Sequence, residues 1–321
     1  MKIAIYSICK NERPFVDRFL TSCHGADKVV MADTGSTDGT WQRIRQLASA
    51  INVDRIALHR VAIDPWRFDT ARNVALSLVP PDIDVCVRLD LDEVLDPGWR
   101  EALEANWLPG TTQLWHWYNF SPGFRYRHNT IHTRFGYHWR GMDHEAIYDA
   151  TGQGRPRVAD DRLSITQLQD RSKDRSSILP RLVLQVQEHK CARSLYYLGR
   201  EYYYYKQNEN AIATLKEYLE EPDATLAQER MDVMSMLAES CERLDLPNNA
   251  RYWWLRAIAE YPTREPYVGL ALFAEQQGEK QLAAGLAAHA LTITSRMDNI
   301  YNRPYLWNDD FVEAISQRCA G

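Results

Sequence analysis

The chain is poor in several things that would otherwise direct the reading. It has no stretch approaching the ~20 apolar residues of a membrane span. Its start, residues 2–8, runs straight into a strand-like segment with no secretory pattern, so a soluble cytoplasmic protein is expected. Its six cysteines are scattered singly, and none has the CxxC spacing of a zinc or redox site. Neither G-x-G-x-x-G nor a P-loop is present, which argues against dinucleotide and Walker-type sites. No block of like charge stands out, and the net charge of −5 over 321 residues demands neither nucleic acid nor an anionic membrane. Acidic residues are missing altogether between positions 105 and 142.

What is present begins with Val85-Cys86-Val87, an apolar run leading to Asp90, Asp92 and Glu93. It reads as a buried strand with a charged tip. If the strand continues through the acidic residues, Asp90 and Asp92 share one face. Paired carboxylates suit a hard cation such as Mg²⁺ or Mn²⁺, which binds one or two carboxylates plus substrate phosphates. The competing structural reading is a strand-to-helix turn capped at Asp96-Pro97.

Strand-like segments at 2–8, 28–31, 55–63 and 85–89 alternate with helical segments near 14–23, 41–50 and 68–78. That alternation predicts a mainly parallel sheet covered by helices. In such sheets ligands bind beyond the carboxyl ends of the strands. Glu12, Asp33, Asp38, Trp66, Asp90 and Asp92 all fall at or just after strand ends. Asp38 is the better candidate for a helix cap than for a ligand.

Five motifs then resemble, in order, those of the GT-A-fold glycosyltransferases of family two, in the bacterial and phage branch with a tetratricopeptide C-terminus. They are Lys10-Asn11-Glu12, the loop MADTGSTDGT at 31–40, FDTARN at 68–73, DLDE at 90–93 and WRGMDHE at 139–145. The resemblance implies a metal-dependent, inverting transfer of sugar from a nucleotide diphosphate sugar, expected to be UDP-linked. It implies that Glu12 and Asp33 hold the nucleoside, with Trp66 and Arg72 beside the donor. Asp90 and Asp92 would handle the ribose, diphosphate and metal, Mn²⁺ or Mg²⁺. The competing reading of Arg72 is a structural partner of a sheet-end carboxylate. If residues 143–145 are extended, Asp143 and Glu145 share a face and His144 opposes them. His144 is then an extra metal ligand, Glu145 the base, and Asp143 the next candidate for that role.

The acid-free stretch holds ten aromatic residues and several arginines, and segments 111–120 and 131–140 have strand character. It suits an acceptor groove, or else a sheet edge with cross-strand packing. The acceptor is left open among a peptide side chain, a glycan and a hydroxylated DNA base. Residues 160–177 read as a linker, and three helix pairs follow, at 192–220, 226–260 and 265–295. Alanines at 211, 250 and 283 recur near the tetratricopeptide period. The division expected is therefore a transferase domain over 1–165, a linker and connecting helix over 166–188, and an all-α solenoid over 189–321. Self-association through the helical part is a further arrangement left open. Two other readings are a sugar nucleotidyltransferase and a tetratricopeptide interaction protein with a degenerate transferase domain.

Overall fold

The computed structural model describes residues 1–51, 54–152, 154, 156–169, 176–294 and 308–319. It forms two compact units, Met1–Arg175 and Ser176–Gly321. The first unit opens with β1 (Ile3–Cys9), whose seven residues are all buried. A strand hydrophobic on both faces belongs in the middle of a covered sheet. Here β1 lies between two parallel neighbours, β2 (Lys28–Asp33) and β4 (Val85–Arg88), and β3 (Ile56–Arg60) extends the parallel set beside β2. The connecting helices are α1 (Val16–Ser22), α2 (Thr40–Ile51) and α3 (Phe68–Ser77). In α1, Val16, Phe19 and Leu20 are buried, the i, i+3, i+4 stripe that docks a helix onto a sheet.

Beyond β4 the chain changes character. Short β5 (Glu93–Leu95) and α4 (Trp99–Asn106) precede β6 (Gln113–Ser121), β7 (Phe124–Thr133), β8 (Tyr137–Arg140), β9 (Ala146–Asp149) and β10 (Arg157–Gln167). The main sheet has eight strands in the order β3-β2-β1-β4-β7-β6-β10-β5, and β8 and β9 form a separate ribbon. β7 runs antiparallel to both β4 and β6, so the second half of the sheet is mixed. The α/β architecture expected from the sequence is present, followed by a helical region.

Two sequence expectations are corrected here. Segment 131–140 is not one strand: the chain turns between Thr133 and Tyr137, where Gly136 takes φ +89°. Residues 160–167 are not linker but the end of β10, because Leu163 and Ile165 alternate into the core among polar neighbours. Positions 170–175 of that expected linker lie outside the described residues.

The second unit contains α5 (Ile178–Glu188), α6 (Ala192–Tyr204), α7 (Asn208–Glu220), α8 (Ala227–Arg243), α9 (Pro247–Glu260), α10 (Arg264–Gln276), α11 (Lys280–Thr292) and α12 (Asp309–Cys319). The three expected helix pairs are α6–α7, α8–α9 and α10–α11. Small residues allow close approach both within a pair and between neighbouring pairs. A Cβ at Gly199 would overlap Leu215, and one at Gly269 would overlap the Trp254 ring. The sequence reading did not mark α12; it covers the end of the array, where Val312 and Ile315 bury against Val268, Ala271 and Ala287.

Candidate active site at the carboxyl edge of the sheet

Two loops leave the carboxyl ends of β1 and β2 side by side. Asn11 sits at φ +57°, a left-handed conformation that asparagine tolerates better than most residues. Its side-chain Oδ1 accepts from the Thr37 backbone amide at 2.8 Å, and its backbone amide donates to Ser36 Oγ at 2.9 Å. Glu12 N donates to Thr40 Oγ1 at 2.8 Å and Arg13 N to Asp38 Oδ2 at 3.0 Å. Asp38 also accepts from the Thr40 amide at 3.0 Å, but Gly39 O accepts the first intrahelical bond, from Arg43 N, so Asp38 stands one residue before the cap position expected of it. Asp33 Oδ1 accepts from the amides of Gly35 and Ser36, both at 2.9 Å, so this carboxylate shapes the loop that follows it. The two loops are thus tied together, with Glu12 and Asp33 both buried at their bases.

The acidic motif after β4 differs from the sequence expectation. The strand ends at Arg88 and the chain makes a turn, in which Glu93 N donates to the Asp90 carbonyl at 2.9 Å. Asp90 and Asp92 therefore do not share a strand face; Asp90 precedes the turn and Asp92 lies within it. Asp92 stays partly exposed, and its carbonyl accepts from Leu168 N at 2.7 Å, just past β10.

Asp90 is the hub of an ionic network. Arg72, on α3, reaches it with both Nη1 and Nη2, the latter at 2.8 Å, and donates from Nε to Glu145 Oε1 at 2.9 Å. Arg88 Nη1 donates to Asp90 Oδ2 at 2.9 Å and to both oxygens of Glu93, at 3.0 and 2.9 Å. Glu93 Oε2 further accepts from Asp90 N at 2.9 Å, and Oε1 from the Tyr118 hydroxyl at 2.7 Å. Burial works against the charge on Arg72, but Asp90 and Glu145 hold its pKa above the ordinary value. Burial pushes the Glu93 carboxyl up, and the adjacent Arg88 opposes that rise. Such buried charges persist only when well paired.

α3 is held against β8 and the segment that follows it by FDTARN. Asn73 accepts from Trp139 N and donates to Trp139 O, both at 2.9 Å. Asp69 accepts from Gly141 N at 3.0 Å and pairs with Arg67 at 3.1 Å. Trp139 in turn donates from Nε1 to Tyr6 OH at 2.8 Å, and Tyr6 OH shares a hydrogen bond with His132 Nε2 at 2.9 Å. These contacts deliver Glu145 to Arg72. Segment 141–145 is bent, not extended, and His144 takes φ +51°, so the alternation expected for Asp143, His144 and Glu145 does not apply. Asp143 is 4% exposed. Trp66 stacks edge-on against Phe68 at 5.1 Å, at the start of α3.

The structure thus joins Arg72, Asp90 and Glu145 directly, and Glu12 with Asp33 on the neighbouring loops. Sequence reasoning missed Arg88, Asp69, Asn73 and Tyr118, and gave Glu93 no role. For Asp69 and Asn73 a signal existed, since both lie in the motif that contains Arg72.

The donor chemistry can be tested for a divalent cation. Among the described residues no group of three or more His, Cys, Asp or Glu side chains is placed to hold a metal ion. Both Asp90 oxygens already accept from arginine, and Asp92, the second aspartate of the motif, is partly exposed in the turn. One partly exposed carboxylate fits a cation that arrives with a diphosphate, rather than a preassembled protein cage.

Residues 5–160 match the model of Glycosyl transferase family 2. A curated relative, the lipopolysaccharide core biosynthesis glycosyltransferase LpsC of Rhizobium meliloti (strain 1021), is 28% identical over 103 residues, or 32% of this chain. The matched part is 36% of that relative, so the chain spans about a third of its length. Among solved structures, the mannosyltransferase PcManGT from Pyrobaculum calidifontis, in complex with GDP-Man and Mn²⁺, has a TM-score of 0.47 at 15% identity. The match covers 99% of this chain and 86% of that one. S. aureus TarS 1-349, in complex with UDP, has a TM-score of 0.33 at 12% identity, covering 99% and 90%. At these TM-scores the ligands remain facts about those two proteins.

Proposed function

We propose, for a chain whose residues 5–160 match the Glycosyl transferase family 2 model, that it moves one sugar from a nucleotide diphosphate sugar to an acceptor hydroxyl or other nucleophile. The observation that carries this reading is the Glu145–Arg72–Asp90–Arg88–Glu93 network at the carboxyl edge of the parallel strands. A structural helix–strand contact has little use for two buried arginines converging on one aspartate; a site that must accommodate diphosphate charge does.

In this reading Glu12 and Asp33 hold the nucleoside, with Trp66 beside them, and Asp90 orients the donor while Arg72 and Arg88 fix its carboxylate. A Mn²⁺ or Mg²⁺ ion arriving with the diphosphate would be held by Asp92, with His144 as a further candidate, and would neutralise leaving-group charge. Glu145, whose Oε1 accepts from Arg72 Nε, takes the proton of the acceptor, with Asp143 as the alternative base. The acceptor oxygen bonds to the anomeric carbon as the bond to the diphosphate breaks. The nucleoside diphosphate departs with that electron pair, and the anomeric configuration is inverted. UDP-sugars are the first donors to try. The helical unit is assigned a supporting or acceptor-presenting role in the manner of tetratricopeptide arrays. The test is a panel of UDP- and GDP-sugars with the full chain, following nucleoside diphosphate release in Mn²⁺ and in EDTA. Release above background with at least one donor is expected; none with any donor would refute the reading.

A further inference from the structure

A pocket of about 550 Å³ opens at the far end of the β6–β7 hairpin, lined by Asn119, Phe124, Arg125, Thr166, Gln167 and Leu168 among others. Strand register explains the grouping. Asn119 lies opposite Arg125 on β7 and beside Thr166 on β10, so all three belong to neighbouring strands at one level. The pocket also adjoins the acidic turn, because Leu168 N is bonded to the Asp92 carbonyl at 2.7 Å. It therefore sits on the same carboxyl edge as the network around Asp90.

The side chains have a particular chemistry. Phe124 offers an apolar surface of the sort that sugar C–H faces stack on. Asp96 accepts from Thr166 Oγ1 at 3.0 Å and Ser164, and Asn119 Nδ2 donates to Thr166 Oγ1 at 3.0 Å, which fixes the polar wall. Two arginines stack on the Trp117 ring, each at 4.1 Å from its centroid. Arg127 is committed to an ion pair with Asp161. Arg125 is exposed, lines the pocket, and makes no ion pair among the described residues. A guanidinium held flat by an aromatic ring and left without a carboxylate is suited to a planar, bidentate anion contact.

We infer that this pocket is an acceptor subsite for a saccharide bearing an anionic group, phosphate or carboxylate, bound by Arg125 with its ring against Phe124. The inference rests on the transferase reading above. A polynucleotide acceptor is the poorer fit, since a strand of phosphates calls for several cations along a track and the pocket supplies one.

The test titrates the full chain with glucose, glucose 6-phosphate, glucuronic acid and a single-stranded DNA oligonucleotide, by saturation-transfer NMR. UDP and GDP are titrated in parallel. At least one anionic sugar should half-saturate at a concentration about tenfold below that of glucose, the worth of one charge-assisted contact. Which of the two wins separates phosphate from carboxylate recognition. Arg125→Gln should erase that preference and leave nucleotide binding unchanged. Equal binding of all three sugars, a preference that survives Arg125→Gln, or tighter Arg125-dependent binding of the oligonucleotide would overturn the inference. Absence of UDP and GDP binding would instead strike the transferase reading itself.

Discussion

Arg72 grips Asp90 with both terminal nitrogens while its Nε holds Glu145, so one guanidinium on α3 fixes the acidic turn after β4 and the loop after β8 at once. Lysine cannot reproduce that three-point contact. Arg72→Lys should lower kcat/KM at least ~10-fold with modest loss of stability. Arg72→Met, which leaves Asp90 and Glu145 without their buried partner, should destabilise the first unit by ~3–5 kcal/mol. Denaturant unfolding of the two variants would show the difference; equal stability would mean the network is not structural.

Asp92 lies in the acidic turn after β4 and is partly exposed. Asp92→Asn is expected to abolish stimulation of turnover by Mn²⁺ while leaving the unfolding midpoint near that of the unmodified chain. Titration of activity against metal concentration checks this, and an unchanged metal response would move the cation elsewhere.

The pattern of what could be read from the sequence has a physical cause. The loop motifs were legible as short runs of turn residues; that Asn11 meets Thr37 and Ser36, more than twenty residues on, follows from β1 and β2 lying side by side. The alternation of Asp90 and Asp92 was misread because nothing in the residues says that β4 stops at Arg88. Stopping there lets Arg88 fold its charge back onto Asp90 and Glu93. Tyr118 could not be found, since its bond to Glu93 depends on how the antiparallel half of the sheet returns past β4. The bend at His144 was likewise not read, because histidine is enriched at positive φ but far from restricted to it.

His116 and His132 are both fully buried, and burial pushes each imidazole down to about 4. An unfolded histidine titrates near 6.5, so between those values the unfolded chain binds more protons. Their contribution is complete above pH ~6.5 and is lost as pH falls toward 4. Stability should drop by about 2 kcal/mol per histidine between pH 7 and pH 5. Urea unfolding across that range checks it, and a flat profile would contradict it.

Gly199 and Gly269 are packing sites in the helical unit, not hinges. Alanine at either position must displace Leu215 or Trp254. A loss of roughly 1–3 kcal/mol in the stability of that unit is expected for each, with nucleotide binding by the full chain unaltered. Thermal unfolding alongside a UDP and GDP titration would separate the two effects.

The most direct test of the account is Glu145→Gln, assayed in full chain with whichever donor the panel identifies. The substitution removes the proton acceptor and keeps a group able to accept from Arg72. Donor and metal affinity should hold, and sugar transfer should slow by ~10²–10⁴-fold, the usual worth of a general base. Transfer at the unmodified rate would contradict the account and send the search for the base to Asp143.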